Sequence, residues 1–451
     1  MSESRFSYSL EQLQEMAAHV LALARAAGAS AAETDISLGI GQNVSVRMGE
    51  TETIEYNRDK GVSVTVYFGQ QRGHASTSDL SVQALADTVA AACNIARYTA
   101  KDAFCGLADA NLLATGFPDL DLYHPWTIDV EQAVDIARRC EAAARAVDSR
   151  ITNSEGAGVS TYEGLSVYAN SNGFCAGYPS SRHSISASVI AESDGSMQRD
   201  YWYTTARAAE DMDTAEHVGR LAGERTARRL DCRRLKTAQV PVLFEAPLAS
   251  GLISSLVSAV SGGSLYRKSS FLLDSLGTKV ISGIVDIEEQ PHLRRGLASS
   301  AFDNEGVTTK PRMLVERGIL QGYLLSSYSA RKLGMQTTGN AGGNHNLLVR
   351  HAQGQQHQLG FEQMLKEMGT GLLVTELLGH GLNMVTGDYS RGAAGFWVEN
   401  GVIAYPVEEI TIAGNMKEML TGIVALGNDV LVQGSRQVGS ILIERMTVAG
   451  E

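Results

Sequence analysis

The stretch that decides the fold is Ala246-Pro-Leu-Ala-Ser-Gly-Leu-Ile-Ser-Ser-Leu-Val-Ser-Ala-Val-Ser-Gly-Gly-Ser-Leu-Tyr-Arg267. Its large apolar residues recur four apart, which predicts a buried helix: Leu248, Leu252, Leu256 and Val260. Pro247 suits a first helical turn, and Gly262-Gly263 predicts the end of the helix.

This helix has no side chain that suits metal binding or proton transfer. Between Glu245 and Arg267 the sequence contains no carboxylate, imidazole, thiol or amine. Ser and Gly allow another backbone to approach closely, but they neither ligate a transition metal nor carry a proton at neutral pH. The stretch therefore predicts a packing helix without catalytic groups.

Composition indicates a folded globular protein of two or three domains. The chain has 451 residues, of which 44% are hydrophobic and 20% are charged. Such a balance supports a large core and argues against long disordered tails. The formal charge of −12 repels phosphate, so we expect neither nucleic acid as a direct partner nor a membrane.

The cysteines and the N-terminal residues predict a cytoplasmic protein. Cysteine is odd in number and lacks any Cys-x-x-Cys pair, which favours reduced thiols over a zinc site: Cys93, Cys105, Cys140, Cys175 and Cys232. The first residues, Met-Ser-Glu-Ser-Arg, do not resemble a signal sequence. The apolar run 248–260 is too short and too rich in serine to span a bilayer.

Periodicity predicts an α+β N-terminal domain. A capping box at Ser9 and Gln12 begins a helix that ends near Gly28, and alternating segments up to Phe68 predict a small antiparallel sheet. Further helices are predicted from Val82 to Ala96, from about Asp129 to Val147 and from Asp213 to about Leu230. The helix from about Asp129 to Val147 should carry its charged residues outward, namely Glu131, Arg138, Arg139 and Glu141. Asn172-Gly173 and Asp194-Gly195 predict hairpins.

The second half predicts a β-rich domain. We place the boundary after the polar passage that ends near residue 235, giving domains 1–235 and 236–451. Short strands punctuated by glycine follow the opening helix, with hairpin turns at Arg317-Gly318 and Asn400-Gly401. The expected fold class is α+β, with two domains.

The common phosphate and metal motifs are absent from the sequence. No Walker-type loop, dinucleotide fingerprint or His-Glu-x-x-His pair occurs. His345, His351 and His357 lie six residues apart in a polar segment, which favours surface histidines on a mobile loop. His380, between two glycines, is best interpreted as structural.

A serine hydrolase is the alternative enzyme hypothesis. Ser329-Ala-Arg-Lys332 has Ser-x-x-Lys spacing, which on a helix brings an amine near a hydroxyl. The companion motifs of that chemistry are missing, so Lys332 is better interpreted as covering an apolar surface. The adjacent pairs Glu288-Glu289 and Glu408-Glu409 should point to opposite strand faces and be solvated.

Several long segments resemble the TldD/PmbA family, and specifically its PmbA (TldE) branch. They are Gly263-Ser-Leu-Tyr-Arg-Lys-Ser-Ser-Phe-Leu-Leu-Asp-Ser-Leu-Gly277, Phe361-Glu-Gln-Met-Leu-Lys-Glu-Met-Gly-Thr-Gly371, Thr386-Gly-Asp-Tyr-Ser-Arg-Gly-Ala-Ala-Gly-Phe-Trp-Val-Glu-Asn-Gly401, Glu409-Ile-Thr-Ile-Ala-Gly-Asn415 and Ile151-Thr-Asn-Ser-Glu-Gly156. The resemblance covers nearly the whole chain. It implies a cytosolic zinc metallopeptidase made of one TldD-type and one PmbA-type subunit. The resemblance also implies action on unfolded or extended polypeptides, including a peptide-antibiotic leader and an antitoxin.

The resemblance further implies that this chain lacks the zinc site. In the TldD branch the helix that opens the second domain carries His-Glu-x-x-x-His, whose imidazoles hold zinc and whose glutamate activates water. These positions fall approximately at Ser254, Ser255 and Ala259 here. The TldD-type third ligand, a cysteine near the C-terminus, is also absent, since the last cysteine is Cys232. We therefore expect no catalytic residue, metal or cofactor in this chain, and zinc in a TldD-type partner.

Three functions follow as hypotheses. The first is a non-catalytic subunit that works with a TldD-type partner on an extended peptide, with a homodimer as the alternative when the chain is alone. The second is a metal-independent hydrolase using Ser329 and Lys332. The third is a non-enzymatic regulator, since older names call family members modulators of DNA gyrase. Polar groups in glycine-rich segments are candidates for lining a substrate cavity, namely Asn340, His345, Asp388, Tyr389 and Arg391.

Overall fold

The first domain is an antiparallel sheet covered on one face by helices. The computed structural model describes residues 5–450. The strands of this N-terminal sheet are β1 (Ala31–Arg47), β2 (Glu50–Phe68), β3 (Gln71–Thr77), β4 (Ile151–Asn170), β5 (Cys175–Ser193) and β6 (Ser196–Ala206). They lie in the order β3–β2–β1–β4–β5–β6. The helices are α1 (Leu10–Ala26), α2 (Val82–Tyr98), α3 (Val130–Arg145) and α4 (Ala215–Ala227).

The helices pack in pairs on this sheet. Helices α1 and α2 share one hydrophobic cluster with β1 and β2, while α3 and α4 cover the other end of the sheet. Helix α1 begins at Ser9 with the predicted capping box, and the predicted hairpin turn at Asp194-Gly195 joins β5 and β6 through two residues of positive φ. The predicted N-terminal helices and antiparallel sheet are therefore confirmed.

One predicted orientation in α3 is wrong. Glu141 was expected to point to solvent, but its side chain is buried and accepts hydrogen bonds from the backbone nitrogens of Met48 and Gly49 at 2.8 and 2.7 Å. These two residues form the turn between β1 and β2, and both have positive φ. The carboxylate thus satisfies two turn donors that helical periodicity alone cannot reveal.

The second domain contains a mixed barrel and a smaller sheet. Its strands are β7 (Ala238–Phe244), β8 (Val285–Gln290), β9 (Arg312–Glu316), β10 (Ile319–Leu320), β11 (Asn346–His351), β12 (Gly371–Leu378), β13 (Asp388–Glu399), β14 (Val402–Asn415), β15 (Ile423–Leu426), β16 (Arg436–Gln437) and β17 (Ile441–Ala449). Strands β14–β13–β12–β7–β17 close into a barrel through β14–β17 pairing, and β15 adds to β17. The other sheet has the order β10–β9–β8–β11–β16.

Short helices fill the spaces around the barrel. They are α5 (Ala246–Ala259), α6 (Gly262–Tyr266), α7 (Ser327–Lys332), α8 (Phe361–Met368) and α9 (Met416–Thr421). Helix α8 packs on one side of β7 and β12, and α5 joins the large core on their other side. The predicted β-rich domain opened by a buried helix is confirmed, and the fold class is α+β. The boundary near residue 235 stays a prediction.

Helix α5 follows its predicted pattern except at its end. Pro247 lies in its first turn, and Leu252 and Leu256 are buried. The helix ends at Ala259, with Val260 as its cap, and Gly262 begins α6 instead of ending α5. Glycine is required at position 262, because the Cβ of any other residue would lie 2.2 Å from Ser329 Oγ. The assignment of Gly262-Gly263 as the helix end was therefore wrong.

Candidate functional site

A cleft separates the N-terminal sheet from α5 and β12, and its cavity volume is about 710 Å³. The sheet face that lines it carries small residues, Gly156, Gly158, Ser186 and Ser188. Beside them Tyr201 and Tyr203 are stacked with ring centroids 6.4 Å apart. A flat surface of small side chains bordered by aromatic rings suits the backbone of an extended chain.

A group of buried ion pairs joins the two domains along the cleft. Arg225 Nη1 lies 2.8 Å from Glu245 Oε2, and its Nε lies 3.4 Å from Asp200 Oδ2. Arg229 pairs with Glu376 of β12. Burial lowers the pKa of Arg225, but the charges of Glu245 and Asp200 outweigh burial, so its pKa is raised. Arg225 therefore remains charged, and these ion pairs fix α4 against the start of α5.

The cleft also contains an open strand edge. Strand β7 pairs with β12 only from Leu372 to Val374, and the chain then turns into α5. A bulge at Thr375 follows in the β12–β13 ladder, and within residues 5–450 no strand pairs with the other edge of β12 beyond Val374. The buried Thr375 hydroxyl has no hydrogen-bond partner in this described part of the chain. Such an edge has unpaired backbone groups that another strand can use.

A second cavity of about 220 Å³ lies over α5 and adjoins the cleft, because Leu248 and Leu377 line both. Its polar lining consists of Ser255, His380, Tyr389 and Arg391. The Ser255 hydroxyl donates a hydrogen bond to the carbonyl of Gly251 at 3.0 Å, and burial raises the pKa of Tyr389. The face of α5 that carries Ser255 therefore borders a continuous groove.

The residues at the positions of the TldD-type motif do not fit the zinc that the family resemblance implies. Of the three, Ser255 lines the second cavity and Ala259 is fully buried. Ser254 and Ser255 provide hydroxyls, Ala259 provides a methyl group, and Ser255 already bonds its own helix backbone. Across residues 5–450, no three His, Cys, Asp or Glu side chains lie close enough together to hold a metal ion. Neutral hydroxyls are poor zinc ligands compared with imidazole, thiolate or carboxylate. We therefore derive no chemical step through a metal on this chain.

The structure brings some of the predicted cavity residues together and separates others. Tyr389 and Arg391 line the second cavity. Asp388 is exposed, and it accepts hydrogen bonds from Thr386 and Asn415. Asn340 and His345 lie away from the groove in a buried network. Whether any of the five contacts substrate stays a prediction.

The network around Asn340 and His345 centres on Glu289. Asn340 Nδ2 and the His345 backbone nitrogen donate to Glu289 Oε1 at 2.7 and 2.9 Å. The expectation that Glu289 is solvated was wrong, because it is 1% exposed, although Glu288 points to the other face and pairs with Arg350. The expectation of a surface position for His345 was also wrong.

The side chains of Ser329 and Lys332 each interact with other residues and not with one another. Ser329 is buried, and its Oγ takes part in the capping box of α7 with Ser326. Lys332 Nζ lies 3.7 Å from Asp102 and 4.4 Å from the centre of the Phe104 ring. Within residues 5–450, no hydrogen bond joins Ser329 to Lys332. The structure therefore provides no support for the hydrolase hypothesis.

Sequence reasoning overlooked the residues that line the cleft. Glu376, Thr375, Arg225 and Arg229 were not singled out, because each is ordinary in its local sequence. The one available signal was the aromatic run Tyr201-Trp-Tyr203 in a predicted hairpin. The cleft itself depends on how the two domains are placed, which no local pattern reveals.

The same architecture occurs in a solved structure from Bacteroides thetaiotaomicron, a protein described as a candidate modulator of DNA gyrase. It superimposes with a TM-score of 0.92 at 26% sequence identity, covering 98% of this chain and 99% of that one. The fold and the interdomain cleft thus place the chain in a class of two-domain α+β proteins with a barrel-containing C-terminal domain.

Sequence comparisons define the family within that class. Models of the first, central and C-terminal domains of PmbA/TldA metallopeptidases match residues 32–96, 123–230 and 237–450. "Metalloprotease PmbA" of Escherichia coli O157:H7 is 52% identical over 95% of both chains. A "Metalloprotease PmbA homolog" of Haemophilus influenzae is 47% identical over 98% of this chain and 96% of its own length. The chain belongs to the PmbA/TldD metallopeptidase family.

Proposed function

We propose that this chain is the PmbA-type subunit of a two-subunit zinc metallopeptidase that cuts unfolded or extended polypeptides. Membership of a metallopeptidase family supports a role in proteolysis. The observation that carries the subunit role is the helix α5, which borders the groove but presents Ser255 where a catalytic relative needs a ligand or base. A TldD-type partner would supply the zinc, the general base and the third ligand.

The role of this chain would be to bind and orient the peptide. The open edge of β12 at Glu376–Leu378 offers backbone groups for strand addition, and the small residues opposite leave room for an extended chain. Recognition through backbone hydrogen bonds is largely independent of sequence, which suits unfolded substrates such as a leader peptide or an antitoxin. The ion pairs of Arg225 and Arg229 would keep the groove open by fixing the two domains.

The experiment that tests this proposal is metal analysis joined to reconstitution. The purified chain should contain no stoichiometric zinc and should not cleave unfolded casein, whereas addition of a TldD-type subunit should give zinc-dependent cleavage. One tightly bound zinc per chain, or cleavage by the chain alone that survives chelation, would overturn the proposal. Capture of gyrase from a lysate without any TldD-type subunit would instead favour the regulator hypothesis.

A groove variant tests the peptide-binding role separately. Ser186→Trp places a large ring on the sheet face that lines the cleft, so it should lower kcat/KM of the reconstituted complex by at least about tenfold, or about 1.4 kcal/mol. Ser184→Trp is the matched control, because Ser184 precedes Ser186 by two residues in the same strand and lies outside this cavity. Equal cleavage rates for both variants would show that the peptide does not occupy this cleft.

A further inference from the structure

The second cavity over α5 contains a charged side chain that has no counter-ion among residues 5–450. Arg391 lines this cavity from β13, and its Nη2 donates one long hydrogen bond to the Leu377 carbonyl at 3.4 Å. Its Nε is buried and has no hydrogen-bond partner in the described part of the chain. A buried donor of this kind costs free energy unless water, an ion or a ligand satisfies it.

The arginines of the adjoining cleft are satisfied in a different way. Each lies within ion-pair distance of a carboxylate, namely Arg199 of Glu155, Arg225 of Glu245 and Arg229 of Glu376. The described residues that line the second cavity include no Asp or Glu. On a chain whose formal charge is −12, the positive charge of Arg391 is therefore left for a ligand.

The loop between β12 and β13 packs on the side chain of Arg391. A Cβ at Gly381 would lie 1.6 Å from the Ser390 carbonyl oxygen and 3.0 Å from Arg391 Cγ, so glycine is required for this close approach. The Arg391 backbone is fixed as well, because it pairs with Ile412 in the β13–β14 ladder. Since the aliphatic part of the side chain is already packed, less conformational entropy is lost when the guanidinium binds a ligand.

A second hydrogen-bond donor lies beside the guanidinium. Tyr389 precedes Arg391 by two residues in β13 and lines the same cavity, as side chains on one face of a strand do. Burial raises the pKa of the Tyr389 hydroxyl, and the nearby charge of Arg391 opposes only part of this rise. The hydroxyl is therefore protonated at neutral pH. A guanidinium next to a neutral hydroxyl is a donor set that suits a carboxylate.

The size and position of the cavity suit one residue of a peptide. Its volume of about 220 Å³ is below the roughly 300–1,000 Å³ of pockets that enclose whole small molecules. It adjoins the cleft at Leu377, on the edge of β12 that another strand can use. Successive side chains of a strand point to opposite faces, so a strand added at this edge presents every second side chain to the face on which α5 packs.

We propose that this cavity is a carboxylate-binding subsite of the peptide groove, in which Arg391 pairs with an Asp or Glu side chain or with the free C-terminus of an extended peptide. Arg391 donates from Nε and one Nη to the two carboxylate oxygens, and the side chains of Leu248 and Leu252 contact the aliphatic part of the bound residue. The inference rests on the proposed binding of peptide in this groove. It narrows the substrates to polypeptides that carry a carboxylate where the chain passes β12.

Binding of matched peptides to the purified chain tests the subsite. The peptides share one neutral, amidated host sequence with a single central Glu, Gln or Lys and a neutral dye, and fluorescence anisotropy gives their Kd. The Glu peptide should bind the wild type at least about tenfold more tightly than the Gln peptide. Arg391→Met should abolish this difference, and Arg391→Glu should favour the Lys peptide instead.

A neutral peptide with a free C-terminus distinguishes the two sources of carboxylate. Tighter binding than its amide assigns the terminal carboxylate, whereas an advantage confined to the Glu peptide assigns a side chain. Arg391→Lys keeps the charge without the planar fork and should retain part of the preference.

The control removes a positive charge elsewhere. Arg445→Met changes an exposed residue that lines neither cavity, so it should keep the full preference for Glu. Circular dichroism should show the wild-type spectrum for every variant. Equal binding of the Glu and Gln peptides by the wild type, no measurable binding of either, or a preference that persists in Arg391→Met would each overturn the subsite.

The subsite and the proposed peptidase role can fail separately. Discrimination between the Glu and Gln peptides by the purified chain needs no partner, so it tests the subsite alone. Zinc-dependent cleavage after reconstitution without this discrimination would overturn the subsite and retain the peptidase role. Discrimination in binding without cleavage after reconstitution would retain the subsite and overturn the peptidase role.

Discussion

Arg312 Nε donates a hydrogen bond to the carboxylate of Glu289 at 2.8 Å, linking β9 to β8 inside the second domain. The same arginine donates to Asn340 Oδ1 at 2.9 Å, and Asn340 in turn donates to Glu289. His345 closes the network with its backbone nitrogen and with a ring contact of 2.9 Å to the carbonyl of Gly339. The network thus holds one buried carboxylate with three hydrogen-bond donors.

Removing the charge at Glu289 should destabilise the protein. Glu289→Gln leaves Arg312 without its carboxylate in a mostly buried setting, so the free energy of unfolding in urea should fall by about 3 kcal/mol. The matched control is Glu288→Gln on the opposite strand face, where the ion pair with Arg350 is partly exposed. It should cost less than about 1 kcal/mol. Equal losses would show that burial does not set the strength of the Glu289 network.

The turn between β1 and β2 should depend on a helix that is distant in sequence. Glu141→Ala removes the acceptor of two backbone hydrogen bonds from Met48 and Gly49. Hydrogen bonds to a charged group contribute about 1.5–3 kcal/mol each, so we expect a loss of about 3 kcal/mol in the free energy of unfolding. Asp135→Ala on the same helix removes only an exposed pair with Arg139 and should cost less than about 0.5 kcal/mol. An unchanged midpoint for Glu141→Ala would contradict the buried contact.

Two glycine-to-alanine substitutions in helices should have opposite effects. A Cβ at Gly219 of α4 would lie 1.9 Å from the Cys140 carbonyl oxygen of α3, so Gly219→Ala must push the helices apart and should cost about 1–3 kcal/mol. A Cβ at Gly251 of α5 meets nothing within 4 Å. Gly251→Ala should therefore stabilise the protein by about 0.5–1 kcal/mol, because alanine loses less backbone entropy. Thermal unfolding measured side by side distinguishes the two, and a destabilised Gly251→Ala would contradict the open space at that position.

Thiol reactivity should separate an exposed cysteine from a buried one. Burial raises the pKa of Cys140 to about 12, so at pH 8 almost none of its thiol is present as the reactive thiolate. Cys175 is exposed and should react first with an aromatic disulfide reagent in the native protein, while Cys140 should react only after unfolding in guanidinium. Cys175→Ala should abolish the first phase. Rapid native labelling of Cys140, identified by mass spectrometry, would contradict its burial.

The sequence by itself determined the local elements of this protein. The capping box at Ser9, the leucine spacing of α5 and the turn residues Asp194-Gly195 and Asn400-Gly401 act within a few residues, and each was correctly predicted. Sequence segments such as Phe361–Gly371 also indicated the family of the chain. These local predictions hold in the folded protein because helix caps and tight turns satisfy their hydrogen bonds locally.

Only the tertiary structure decided what the polar residues do. Glu289 and Glu141 are acidic residues in ordinary surface-like patterns, yet each is buried by partners between 23 and 93 residues away. The cleft between β12 and the N-terminal sheet likewise depends on where other strands stop. The long-range placement of strands and helices decides which side chains are buried. Burial decides whether a charged side chain is solvated, structural or available to a partner. The sequence therefore predicts the helices and strands but not the contacts between them.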